Sequence, residues 1–452
     1  MKKTFLLIML SILLIPCFVK AEEVNNNTEI TEEDITENRE SNINEDSTNI
    51  EDNAEDTNDN ENNTLNEDEN TTENNTNTEE NTNNQNSTDT SLIPNATAGI
   101  LMDATTGEII FEKNKDEQVA VASMTKMVAQ IIILEQIEAG KIKWTDKVTA
   151  SANASGMGGS QIYLTTGEEM TVEDMMKGIS MASANDATVA MAEFIAGSEV
   201  EFVEMMNKKV KEFGLKNTHF KNCTGLDEDD HYSSAYDMAI IARELLKHEK
   251  ILEFSSVYED YLREDTDNKF WLVNTNKLVR FYEGADGLKT GHTDAAKYCL
   301  AATAKRDDLR LIAIVLGEEN SQIRNSETMS LLDYGFNNYK IEILKTTDDI
   351  VKEISLDKAT SSKISLVPLN DIAILSKKSE NNKKYTYDIK ITNNNLPLKI
   401  GDEVGKITVK DSDNKKIKEE ILTVTENVDK LNFLELLGKT LTDMLVGNIN
   451  FV

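Results

Sequence analysis

Three short motifs fall in one order along this chain of 452 residues: Ser123-Met124-Thr125-Lys126, then Ser183-Ala184-Asn185, then Lys289-Thr290-Gly291. Each is common enough alone. A second S-x-x-K stands at Ser355-Leu356-Asp357-Lys358, and other S-x-N triplets at Ser47-Thr48-Asn49, Ser151-Ala152-Asn153 and Ser379-Glu380-Asn381; Lys-Thr-Gly occurs once. The weight lies in the ordered set and its surroundings. Ser123 opens an apolar stretch (Met127, Val128, Ile131, Ile132, Leu134) that reads as a helix buried nearly all round. Ser183-Ala184-Asn185 ends one such pattern (Met175, Met176, Ile179) and precedes another. Lys289-Thr290-Gly291 follows a turn-like Glu283-Gly284-Ala285-Asp286-Gly287 and precedes an apolar run from Tyr298 to Ala302.

The residue types suit one chemistry. A serine hydroxyl is a poor nucleophile at neutral pH and needs a base beside it. In Ser123-x-x-Lys126 the two lie three apart, on one helix face. A lysine is a base only when neutral. Desolvation on a buried helix, with Lys289 as a second nearby cation, is expected to lower the pKa of Lys126. A helix starting at Ser123 also aims free backbone N–H groups at a developing oxyanion.

Residues 1–21 look like a secretory signal peptide, so the protein is expected to be exported. Lys2 and Lys3 precede a mostly apolar run from Phe5 to Phe18, and Val19-Lys20-Ala21 offers small residues for cleavage. The run holds Pro16 and is shorter than the roughly 18 residues a membrane span needs. Pro16 also argues against a lipid on Cys17. Residues 22–92 carry 23 acidic residues against one basic, Arg39, which is −22 of the total −34. Rich in Asn, Glu and Thr and without aromatics, this spacer cannot bury enough apolar surface to offset its chain entropy and should be disordered. After cleavage only Cys223 and Cys299 remain; they read as free, buried thiols, with one bridge as the alternative. His219, His231, His248 and His292 show no ligand spacing, so no metal is expected, and no cofactor. There is no phosphate loop or basic stripe, and the acidity speaks against nucleic-acid binding.

The folded part is expected to begin near Leu92. A strand at 98–104, a turn at Thr105-Thr106-Gly107 and a return strand at 108–113 make a hairpin. Helices are expected over 123–138, 172–182, 186–196, 199–213, 235–247 and 321–338, and two late strands over 297–305 and 308–317. Early and late strands around central helices suggest one sheet, closed by both ends of the domain, with helices on its faces. From about 341 short alternating runs (341–344, 350–354, 385–391, 403–410, 419–424) read as a small all-β domain. In the tail, Phe433, Leu434, Leu437, Leu441, Met444 and Leu445 fall on one helix face.

The stretch from about Ala98 to Tyr339 resembles the low-molecular-mass penicillin-binding proteins of the serine D-alanyl-D-alanine carboxypeptidase family. Beyond the three motifs, the resemblance rests on Met102 to Glu108, Gly158-Gly159-Ser160, Gly167-Glu168, Asn185-Asp186-Ala187, Met206-Asn207, Thr218-His219-Phe220, Thr224-Gly225-Leu226-Asp227, His231-Tyr232-Ser233 and Lys289-Thr290-Gly291-His292-Thr293. Val121 departs from it, since the family usually has proline there. Lys399 to Asp411 looks like the family's C-terminal β-domain, and the tail like its membrane anchor.

The resemblance implies an α/β (α+β) penicillin-binding and β-lactamase-like catalytic domain with a central antiparallel sheet over 93–340, an all-β domain over 341–428 and an amphipathic anchoring helix over 429–452. It implies hydrolysis of the terminal D-Ala-D-Ala bond of peptidoglycan stem peptides through an acyl-enzyme, inhibition by β-lactam antibiotics, and attachment to the outer surface of the plasma membrane. Ser123 would be acylated, with Lys126 as base and Ser183 relaying the proton. The N–H groups of Ser123 and His292 would form the oxyanion hole. Asn185 would hold the substrate peptide, Lys289 and Thr290 its carboxylate, and Gly291 would admit close backbone approach. Asp103 and Asp186 read as turn and helix holders. A Ser/His/Asp reading of His292 finds no nucleophile elbow around Ser123. The alternatives are a D,D-endopeptidase, a non-catalytic penicillin-binding scaffold and a β-lactamase; for the last, Glu204 has asparagine three residues on instead of four. The tail helix packing on the β-domain is the alternative to an anchor.

Overall fold

The computed structural model describes residues 92–446 apart from positions 362, 381 and 382. The expected signal peptide at 1–21, the acidic stretch up to 91 and the tail beyond 446 lie outside the described residues.

One five-stranded antiparallel sheet organises the catalytic part. Its order is Ile109–Lys113, Ala98–Asp103, Leu309–Glu318, Lys297–Arg306, Ala285–Thr293. Two early strands and three late ones therefore close one sheet, as the sequence suggests. The central strand reads as nearly continuous apolar residues because both its faces are covered. Leu311, Ala313 and Val315 enter one core with Leu331, Leu332 and Phe336 of the Ser321–Asn338 helix. Ile312, Ile314 and Leu316 enter the other, with the Lys126–Glu138 and Ala235–Leu245 helices. This is the twofold alternation of a strand between two helical layers.

Local chemistry sets the helix ends. Asn320 Oδ1 accepts from Ile323 N at 2.9 Å and starts the Ser321–Asn338 helix; Ser198 and Ser234 do the same for Glu199–Glu212 and Ala235–Leu245. Residues 126 to 134 of the Lys126–Glu138 helix are all buried, which accounts for its apolarity on every side.

Three expectations change in detail. The first helix begins at Lys126, and Ser123 sits before it in a tight 3₁₀ turn, Ala122–Thr125. The region read as one helix over 172–182 is the helix Val172–Lys177 followed by a π-turn, Gly178–Ala182. Of the residues read as a turn before Lys289, Glu283 and Gly284 do form one, while Ala285, Asp286 and Gly287 already belong to the strand, which starts at Ala285.

A second all-β part follows. Tyr339–Lys345 pairs with Ile372–Lys377. Five strands run in the order Lys352–Ile354, Ile364–Pro368, Lys416–Val424, Gly405–Lys410, Thr386–Ile391. They share their own core of Ile364, Leu366, Ile372, Val404, Ile407, Val409, Leu422 and Val424. The sequence reading passed over Ile364–Pro368 and Ile372–Lys377. The helix Phe433–Val446 ends the described chain.

Candidate active site

Ser123 is presented by a turn clamped from two sides. Ala122 sits at φ +47°, in the left-handed region that residues with a Cβ avoid. Gly225, at φ +84°, lies against it; a Cβ there would come 1.9 Å from Ala122 O. Gly291 lies on the other side, where a Cβ would come 2.6 Å from Val121 O. The requirement at Gly291 is thus close approach of the strand to the serine turn. Lys126 Nζ, wholly buried, donates to Ser123 Oγ at 2.8 Å and to Thr224 O at 2.6 Å.

Burial brings the Lys126 pKa from 10.5 down to about 7, against the pull of Cys223 and Asp186. The expected help from Lys289 falls the other way. Lys289 is held well below its ordinary value, first by its own burial, then by Lys126 and Arg324. The two lysines and the buried Arg324 make a cationic pocket in which lysine neutrality costs little.

Ser183 follows the π-turn at φ +62° and is 4% exposed. Asn185, the first residue of the Asn185–Ala196 helix, donates from Nδ2 to Gly158 O at 2.7 Å, and its N–H reaches Ser160 O at 2.7 Å. Its Oδ1 is buried and has no hydrogen-bond partner among the described residues. Asp186, fully buried, accepts from Ile162 N at 3.1 Å and Leu164 N at 3.0 Å, so it ties residues 162–164 to the start of its helix. Asp103 likewise accepts from Thr105 N and Thr106 N. Both aspartates are the holders the sequence suggested.

On the Ala285–Thr293 strand, Lys289 and Thr290 are buried. Lys289 Nζ donates to Thr290 O at 3.0 Å, and Thr290 Oγ1 donates to Thr275 Oγ1 at 2.7 Å. His292 is exposed and stacks on Tyr298, ring centroids 4.1 Å apart. Among the described residues its side chain bonds neither Ser123 nor an acid, so no Ser/His/Asp relay forms. The second S-x-x-K, Ser355 and Lys358, is exposed in the β-rich part, where no burial acts on the lysine. Cys223 and Cys299 are free and buried.

Thr224, Thr275 and Arg324 join this site without having been singled out for a role in the sequence. Thr224 lay inside a motif noted only for resemblance. Thr275 and Arg324 carried no local signal.

The arrangement is a serine hydrogen-bonded by a buried lysine, and comparison with known proteins gives it a family. Residues 82–320 match the family model described as D-alanyl-D-alanine carboxypeptidase. D-alanyl-D-alanine carboxypeptidase DacF of Bacillus subtilis (strain 168) is 48% identical over 355 residues, covering 78% of this chain and 91% of that protein. This chain belongs to the serine D-alanyl-D-alanine carboxypeptidases, the low-molecular-mass penicillin-binding proteins. The carboxypeptidase is also 35% identical to DacA of Escherichia coli (strain K12) over 348 residues, which is 75% of this chain and 85% of that one. Residues 340–430 of the carboxypeptidase match the model described as penicillin-binding protein 5, C-terminal domain. The crystal structure of penicillin binding protein 5 from Haemophilus influenzae superposes with a TM-score of 0.62 at 32% identity, over 74% of the carboxypeptidase and 98% of that chain.

Proposed function

We propose that this carboxypeptidase removes the terminal D-alanine of peptidoglycan stem peptides through an acyl-enzyme on Ser123, and that penicillins acylate the same serine. The observation that carries this is the bond between Lys126 Nζ and Ser123 Oγ at 2.8 Å, with the lysine buried and its pKa near 7. A neutral Lys126 takes the Ser123 proton as Oγ attacks the carbonyl of the penultimate D-alanine. The backbone N–H groups of Ser123 and His292 receive the oxyanion. The proton passes through Ser183 to the leaving amine as the C–N bond breaks, and D-alanine departs. Water then attacks the ester carbonyl, the bond to Ser123 Oγ breaks, the shortened peptide leaves as a carboxylate, and a proton from the water returns to Ser123 Oγ.

The remaining residues position the substrate. Asn185 Oδ1, buried and unpartnered, suits a peptide N–H of the substrate. Lys289, Thr290 and Gly291 take the carboxylate end, with the buried Arg324 as a further cation nearby. Release of D-alanine from a pentapeptide tests this reading, with a cross-linked dimer as the comparison. Release from the pentapeptide is expected; cleavage of the cross-link alone would make the enzyme an endopeptidase.

The same reading puts the exported enzyme at the outer face of the plasma membrane, held by its last helix. The support is the apolar face of Phe433–Val446: Phe433 is 78% and Leu434 76% exposed, and Leu437, Leu441 and Met444 are exposed too. Its one-sided apolar face suits an interfacial contact; no helix among the described residues is long and apolar enough to cross a membrane.

A further inference from the structure

Asn274, Thr275 and Asn276 run between the strand Phe270–Val273 and the helical turn Leu278–Phe281. Both asparagines are buried and hold backbone with every side-chain polar atom. Asn274 Nδ2 donates to Ser255 O at 3.0 Å and Val257 O at 2.8 Å, and its Oδ1 accepts from Asn276 N at 2.9 Å. Asn276 Nδ2 donates to Gly287 O at 2.9 Å, and its Oδ1 accepts from Leu278 N at 3.1 Å. Thr275 is thereby fixed, half-buried, between them.

From that place it touches both other halves of the site. Its N–H donates to Met181 O at 3.1 Å, two residues before Ser183. Its Oγ1 accepts the proton of Thr290 Oγ1 at 2.7 Å.

The proton count then matters. A threonine hydroxyl has one proton and two lone pairs. While Thr290 gives its proton to Thr275, it offers a ligand only lone pairs. An ionised carboxylate is also acceptor-only, so the two oxygens repel. Carboxylate binding therefore requires the pair to reverse: Thr275 donates to Thr290, and Thr290 donates to the carboxylate. Thr275 can do this, because among the described residues its hydroxyl proton has no acceptor. Accepting a bond also strengthens the one Thr290 donates.

We propose that Thr275 is a positioning residue for carboxylate recognition, turning from acceptor to donor toward Thr290 when a substrate or penicillin carboxylate enters. The proposal rests on the reading that Thr290 binds that carboxylate.

A double-mutant cycle on the full mature enzyme tests it, using kcat/KM for D-alanine release from a pentapeptide and the second-order rate of penicillin acylation. Thr275→Val removes the hydroxyl at nearly constant shape and keeps the N–H to Met181 O. It is expected to cost about tenfold in kcat/KM, carried by KM, with melting unchanged. Thr275→Ser should stay within about twofold of the native enzyme, since it restores the donor. In a Thr290→Val background, Thr275→Val should cost less than about twofold more. A full tenfold loss in that background, or a Thr275→Ser variant as poor as Thr275→Val, overturns the relay and leaves the carboxylate role of Thr290 standing. A Thr290→Val variant with native kcat/KM overturns that role itself, and the relay with it.

Discussion

Lys126 Nζ divides its hydrogen bonds between Ser123 Oγ at 2.8 Å and the backbone carbonyl of Thr224 at 2.6 Å. The carbonyl fixes the amine against the serine without lending it a negative charge. A carboxylate in that place would hold Lys126 protonated and useless as a base. Burial is left to set the pKa, at about 7.

The rate of acylation should therefore rise with pH as Lys126 loses its proton. At pH 5.5 the amine is charged and cannot accept from Ser123; by pH 8 it is mostly neutral. Second-order acylation by a penicillin, measured across that range, should follow one ionisation near pH 7. Lys126→Arg keeps a cation and loses the base, and should cut the rate by about 10²–10⁴. Lys289→Arg keeps a carboxylate partner and should lose less; equal losses in the two variants would show that their roles are not distinct.

Gly225→Ala should damage the turn that carries Ser123. The new Cβ would lie 1.9 Å from Ala122 O at a φ of +84°, so backbone has to move. We expect a stability loss of about 2–4 kcal/mol from overpacking and strain, read by chemical denaturation. The residual folded protein should acylate about a hundredfold more slowly, because Ser123 is displaced. Native acylation in a destabilised variant would mean the turn can shift without moving the hydroxyl.

Glu318 supplies a pH dependence of stability unrelated to catalysis. It is fully buried, and its two carboxyl oxygens meet no hydrogen-bond partner among the described residues. Burial first, and then the neighbouring Glu327 carboxylate, push its pKa from 4.5 up to about 8. The native state thus keeps a proton that the unfolded chain releases above about 4.5. Stability from this group is full below that pH and is lost as pH rises through about 8. Glu318→Gln should flatten the fall in denaturation free energy between about pH 5 and pH 8; an unchanged slope would assign that fall to another group.

The tail predicts a membrane contact that salt barely affects. Its described polar residues include Lys439 against Glu435, and Lys439 Nζ is turned toward Ala359 O at 3.5 Å. Attraction to anionic lipid should be near nil, and binding should rest on apolar area. In vesicle flotation, a chain ending at Asp429 should stay in solution while the mature chain floats at low and high salt alike. Equal behaviour of the two chains would remove the anchor role.

Much of the fold was legible because alternation and burial leave marks on residue types. The run from Leu309 to Glu318 could be read as a strand, and the stretch after Ser123 as a buried helix, because packing demanded apolar side chains there. The three motifs were legible because the roles proposed for them, nucleophile, base and carboxylate binder, need particular side chains. Thr224 was not, because it contributes a carbonyl that any residue carries. Thr275 was not, because its partners, Met181 and Thr290, come from separate elements that meet only in the folded chain. The left-handed backbone at Ala122 and Ser183 was equally hidden, since no glycine stands at either position to announce it.

The central claim is that Ser123 is the acylated residue. The most direct measurement is the intact mass of the enzyme after reaction with penicillin, followed by peptide mapping of the adduct. One penicillin per molecule is expected, on the peptide that contains Ser123, and none on a folded Ser123→Ala variant. An adduct on another residue, or stoichiometric labelling of Ser123→Ala, would contradict the account.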